Sequence, residues 1–231
     1  MRLTKEASGR QGDQASMECP GKFFDAFAER FDSLYDARRG WAMRWLDRHF
    51  RSDMLIRFDM TFESLGDLTG RRVLDVGCGS GPYIAEALRR GASHVTGIDP
   101  APAMLSLARR RIAQTGMETK VRLVEGYFPQ GCPDERFDFA IVMGVMDYVP
   151  NSLYFLRAVR ETVAIRAAVS FPSIHWFRTP FRKIRYGLRR CPVYFYTRPQ
   201  IEALMQEAHL MHYSLKKIPG AGMDHFLCMS I

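Results

Sequence analysis

Two acids and three glycines in this chain of 231 residues have the types and spacing for ligand chemistry. Asp75 stands in the run Arg72-Val73-Leu74-Asp75-Val76, and Gly77, Gly79 and Gly81 follow at every second position. Asp99 closes a second run, Val95-Thr96-Gly97-Ile98-Asp99. A glycine turn after a buried strand lets the backbone approach a ligand that a Cβ would hold off. In the dinucleotide pattern G-x-G-x-x-G, the middle glycine meets a pyrophosphate at a helix start. Here the spacing is G-x-G-x-G, and Pro82 takes the place of the last glycine. An acid before the turn repels a pyrophosphate and attracts an ammonium or a sulfonium. A carboxylate at the tip of the second strand can accept both hydroxyls of a ribose.

An acid for a cationic amino acid and an acid for a ribose together describe S-adenosylmethionine. The pair VLDVGCGSG and VTGIDPAPAML resembles the class I S-adenosylmethionine-dependent methyltransferases. The resemblance runs from about Phe24 to the C-terminus and is strongest from Val73 to Pro150. It implies S-adenosylmethionine as cofactor and S-adenosylhomocysteine as product. Asp75, Gly77, Cys78, Gly79 and Gly81 are then expected at the methionine part, and Asp99 with Pro100 at the ribose. By the same resemblance Met104 packs on the adenine, and Tyr127, Phe128 and Gly144 complete the cofactor site. Relatives often carry Gly-Asp where Gly126-Tyr127 stand, with the acid on the adenine amino group. Tyr127 departs from that pattern, which hands the contact to a backbone group or to Phe128. Cys78 has no base beside it in the sequence and reads as packing. No metal is expected.

The elements that must position these residues are legible around them. Val73, Leu74 and Val76 form a short buried strand. Pro82 opens a helix with Ile84, Ala87 and Leu88 on one face, stopped by Gly91. Another helix carries Leu105, Ala108 and Ile112 and ends at Gly116. Strands are expected at 121–124, 137–143 and 167–171, and two closing strands at 209–218 and 223–231. Asn151 reads as the cap of the helix after the fourth strand, and Arg198-Pro199 begins the last helix. Upstream, Phe24, Phe27, Phe31 and Tyr35 recur at helical spacing, followed by patterns around Trp41 to Phe50 and Leu55 to Leu65.

The acceptor should meet the cofactor where the fourth and fifth strands end. Asp147, Tyr148 and His175 are the candidates for catalysis, each with a plainer role available as cap, wall or packing. Tyr35, Tyr148, His175, Trp176, Arg178 and Arg182 are the candidates for acceptor binding. Arg178, Arg182, Arg185 and Arg189 track beside an apolar stripe of Phe177, Phe181, Ile184 and Leu188, a basic amphipathic insertion.

Composition sets the class. Hydrophobic residues make up 47% and charged residues 25%, ordinary for one globular domain. A net charge of +8 favours an anionic partner, surface or substrate. The five cysteines show no C-x-x-C pair, which excludes a disulfide framework and fits a reducing, cytoplasmic setting. No apolar run is long enough to span a bilayer and no signal peptide is evident. The reading is an α/β fold: a Rossmann-like, seven-stranded, mostly parallel sheet with helices on both faces and an N-terminal helical cap. Residues 1–21 read as a flexible tail and 22–231 as a single domain. Within it, 22–70 form the cap, 71–171 the cofactor-binding core, 172–196 a cap insertion and 197–231 the closing helix and strands. The expected function is methyl transfer from S-adenosylmethionine to a small-molecule acceptor, anionic or aromatic. The alternatives are a non-catalytic cofactor-binding subunit and an RNA- or membrane-associated methyltransferase. No nucleic-acid module is recognisable, so nucleic acid is not the expected partner.

Overall fold

A computed structural model describes residues 55–173, 192–219 and 224–231. Helical residues 55–65 (α1) precede β1 (Arg72–Val76), α2 (Pro82–Arg89), β2 (His94–Asp99), α3 (Pro102–Ala113) and β3 (Val121–Glu125). Then come β4 (Phe137–Val142), α4 (Ser152–Thr162), β5 (Val163–Phe171), α5 (Arg198–Glu207), β6 (Tyr213–Lys217) and β7 (His225–Ser230). The strands form one seven-stranded sheet in the order β3-β2-β1-β4-β5-β7-β6. All neighbours pair in parallel except β7, which runs antiparallel to both β5 and β6.

The sheet is covered on both faces, which is why its central strands are apolar at nearly every position. Leu74, Val76, Ala140 and Val142 face a core shared with Phe155, Leu156 and Val159 of α4 and Ile201 and Met205 of α5. Val73, Ile141 and Ala168 face the opposite core, with Phe62 and Leu65 of α1, Ile84 of α2 and Leu105 and Ala108 of α3. Each fully buried Leu or Ile contributes roughly 1.5–3 kcal/mol of transfer free energy. The order places the carboxyl ends of β1, β2 and β4 side by side, with the strand order switching from one side of β1 to the other between β1 and β4. That is the position at which doubly wound sheets open a crevice.

Three strand boundaries differ from the sequence reading by two residues or more. β5 begins at Val163, directly after α4; its first half mixes buried and exposed residues and only 167–171 is buried throughout, which is the part the sequence shows. β6 is shorter than 209–218: His209 adopts φ 57° and the Leu210 amide donates to the Met205 carbonyl, a left-handed helix stop. β7 begins at His225, two residues later than expected. Of the N-terminal cap, the structure describes α1 onward. Tyr35, and in the insertion His175, Trp176, Arg178 and Arg182, lie outside the described residues.

Candidate functional site

The glycine turn leans onto the end of β2. The amides of Gly77 and Cys78 both donate to the Ile98 carbonyl, at 2.8 and 3.1 Å. Asp99 then ties three elements together. Its Oδ2 accepts the Gly79 amide at 2.8 Å and its Oδ1 the Ala101 amide at 2.9 Å. Its backbone carbonyl accepts the Gly126 amide at 3.1 Å, which fixes the exit of β3. A carboxylate oxygen can accept from more than one donor at once, which lets a hydroxyl share it with an amide.

These exits wall a cavity of about 550 Å³, within the range of small-molecule sites. Of the residues the sequence reading assigns to the site, Gly77, Cys78, Gly79, Asp99, Pro100, Met104, Tyr127, Phe128, Gly144 and Tyr148 line it. Gly79 (φ 52°) and Gly144 (φ 74°) face it so openly that a Cβ built on either meets nothing within 4 Å. Gly77 differs: a Cβ there would lie 2.5 Å from Cγ2 of Val145, so it lets the turn close against the exit of β4.

Two of the expected cofactor residues stand elsewhere. Gly81 packs on α3, where a Cβ would come within 3.1 Å of Ala108, so its role is the contact between α2 and α3. Asp75 does not reach the cavity wall; it is buried beneath the turn, and its Oδ2 has no hydrogen-bond partner among the described residues. Burial first, and the charge of Asp99 second, push its carboxyl up to about 8. On the acceptor side Asp147 is buried behind the wall that Tyr148 presents. Nor does Asp147 cap the next helix: Oδ1 of Asn151 accepts the Tyr154 amide there, at 3.0 Å.

Residues that sequence reasoning missed complete the wall. Arg57 of α1, Tyr83 of α2 and Arg111 of α3 line the cavity at its glycine-turn side. Burial raises the Tyr83 phenol, and the nearby Arg57 guanidinium partly offsets this. The Arg57 Nε is buried with no hydrogen-bond partner among the described residues, while the rest of the guanidinium side chain bonds the Tyr83 phenol. Met143, Pro129 and Tyr154 close other parts of the wall. No local spacing announces any of these; each depends on how its helix or loop packs.

A cationic, ribose-bearing nucleoside fits this donor set. Arg57 matches a carboxylate, Asp99 a diol, and Met104 with Ile98 a flat ring. The aromatic wall from Phe128 and Tyr148 to Tyr154 suits an apolar or aromatic second ligand. Among the described residues no cluster of His, Cys, Asp or Glu has the composition of a metal site. No described helix is long and apolar enough to cross a membrane.

Comparisons with known proteins agree with this geometry. Residues 73–165 match a family model described as a methyltransferase domain. A ubiquinone biosynthesis O-methyltransferase of Aeromonas salmonicida is 29% identical over 146 residues, covering 63% of this chain and 60% of that protein. Its counterpart in Alkalilimnicola ehrlichii is 31% identical over 139 residues, covering 58% and 56%. The matched stretch thus spans less than two thirds of these relatives. The fold resembles the S-adenosylmethionine-bound magnesium protoporphyrin IX methyltransferase of Synechocystis PCC 6803. That match has a TM-score of 0.71 at 15% identity and covers 93% of this chain and 96% of the other.

Proposed function

We propose that this chain is a class I S-adenosylmethionine-dependent methyltransferase that transfers the cofactor's methyl group to an oxygen of a small aromatic acceptor. The observation that carries the reading is Asp99: a carboxylate held by two backbone amides, at the cavity wall, one glycine turn from Gly79. The bound cofactor supplies a methyl group already activated by its sulfonium.

The chain's own residues supply binding, orientation and exclusion of water. Asp99 holds the ribose diol, and the bare backbone at Gly79 lets the nucleoside lie against the turn. Met104 and Ile98 bracket the adenine. Arg57 sits where a methionine carboxylate would otherwise be unpaired, and the negative field of Asp75 under the turn favours the ammonium. Tyr148, Val149 and Pro150 form the wall next to this site, with Tyr154 at its half-exposed rim. Fixing two reactants in line lowers the barrier without any group that must itself react. The names of the sequence relatives favour an oxygen acceptor over nitrogen or carbon.

The test is in two stages. Titration calorimetry with S-adenosylhomocysteine should give micromolar binding, about −8 kcal/mol. Tighter binding of NAD would sink the cofactor assignment. Incubation with S-adenosylmethionine and a set of catechols and aromatic carboxylates should then release S-adenosylhomocysteine. Binding without release from any acceptor of that set would favour a non-catalytic cofactor-binding subunit.

A further inference from the structure

We propose that seating the cofactor expels a proton from Asp75, so that the acid beneath the glycine turn is neutral in the free protein and a carboxylate in the complex. The inference rests on the cofactor reading above. Asp75 is 2% exposed, and its Oδ2 is wholly buried with no hydrogen-bond partner among the described residues. The acid nearest to it in effect is Asp99, whose two oxygens each accept a backbone amide. Hydrogen bonds from amides favour the charged form. Of two neighbouring buried acids, the one so bonded keeps the charge and the other keeps the proton.

The surroundings of Asp75 offer it little else. Facing it are Asp99 at the end of β2, the Cys78 thiol in the turn and the Tyr83 phenol of α2. The nearest cation in this group is Arg57 of α1, which stands beside Tyr83. Burial together with Asp99 raises the Asp75 carboxyl to about 8, and the same two acids add to the burial that raises Cys78. An ammonium brought against the glycine turn supplies the missing positive charge and favours the carboxylate. The O–H bond of Asp75 breaks, the electron pair stays on the carboxylate and the proton passes to solvent. The proton is therefore a competitor of the cofactor, and affinity falls as acidity rises.

Calorimetry of the full chain with S-adenosylhomocysteine at pH 7, in phosphate and in Tris, counts the protons released. The unaltered chain should release about 0.9 proton more than Asp75→Asn, whose amide imitates the neutral acid. The ligand's own amine is that of a free amino acid, which its neighbouring carboxylate holds above the roughly 7.7–8.0 of a chain terminus; it is already protonated at pH 7 and adds little to the count. At pH 5 the two proteins should bind within about threefold of each other. Towards pH 8 the unaltered chain should gain up to about tenfold per unit and the variant should not. Equal proton counts overturn the inference. If the variant does not fold, the unaltered chain decides alone: no proton release at pH 7 overturns it. Absence of any S-adenosylhomocysteine binding sinks the cofactor reading itself, an outcome distinct from binding without proton release.

Discussion

At the scale of single residues, Asp99 does two jobs with one carboxylate. It holds the Gly79 and Ala101 amides, and it lines the cavity. Asp99→Ala should therefore weaken S-adenosylhomocysteine binding by about 10- to 100-fold, the equivalent of about 1.5–3 kcal/mol, by calorimetry. Gly79 combines φ 52° with an open approach to the cavity. Gly79→Val should lose binding, because its side chain fills the space facing the turn. The left-handed backbone costs roughly 1–2 kcal/mol for such a residue, which leaves the domain folded by circular dichroism. Asp75 has a consequence for stability as well. Its folded carboxyl is raised to about 8, against about 3.9 in an unfolded chain. The folded form binds more protons across that window, so this group's contribution to stability is greatest at acid pH and is lost as pH rises towards 8. Without cofactor, Asp75→Asn should unfold at higher denaturant than the unaltered chain at pH 8, and the gap should close towards pH 4.

Whole elements position the acceptor side. The turn Met146–Tyr148 is held from outside by the strand-like segment 192–196. The Tyr194 amide donates to the Asp147 carbonyl at 2.8 Å, and the Tyr196 amide to the Pro172 carbonyl at 2.9 Å. The Tyr196 hydroxyl reaches Oγ of Ser152 at 2.6 Å and the Met146 carbonyl at 3.3 Å. Tyr196→Phe removes both contacts at the cost of about 1–3 kcal/mol, because the Met146 left behind is buried and Ser152 is half-buried. The expected result is a raised acceptor KM with unchanged S-adenosylhomocysteine affinity, since none of these groups touches the glycine turn. Equal losses in both would make Tyr196 a general support of the fold. Next to Ser152, at the start of α4, Asn151→Ala should cost about 1 kcal/mol in thermal unfolding through loss of the cap.

For the molecule as a whole, the cavity joins pieces from β1, β2, β3 and β4 and from α1, so a bound ligand links parts far apart in sequence. Ligand that binds only the folded chain stabilises it by about 2.7 kcal/mol at a hundredfold excess over Kd. For a domain of this size that is a rise in Tm of about 5–10 °C with S-adenosylhomocysteine, read by scanning calorimetry. The basic character belongs to this scale too. With a net charge of +8 the chain attracts anions at long range, and added salt should slow capture of an anionic acceptor more than that of a neutral one.

The cofactor half of the site was written in the sequence because its parts are adjacent there. A strand, a glycine turn and a helix start are consecutive, and their geometry follows from local rules: apolar run, missing Cβ, proline at the first helical turn. Asp99 was legible for the same reason, as the last residue of an apolar strand. What tertiary structure alone decided are the contacts between elements. Gly81 reads locally like Gly79, yet one meets Ala108 of α3 and the other opens on the cavity, a difference set by how α2 packs. Asp75 lies on a strand whose two sides are both core, so alternation could not say that its carboxyl is buried beneath the turn rather than exposed in the cavity. Arg57 and Arg111 are ordinary helix residues in sequence, and only the placement of α1 and α3 against the glycine turn turns them towards the ligand. Local patterns fix a residue's strand or helix because they act over one turn of chain; which groups face one another depends on packing between segments tens of residues apart.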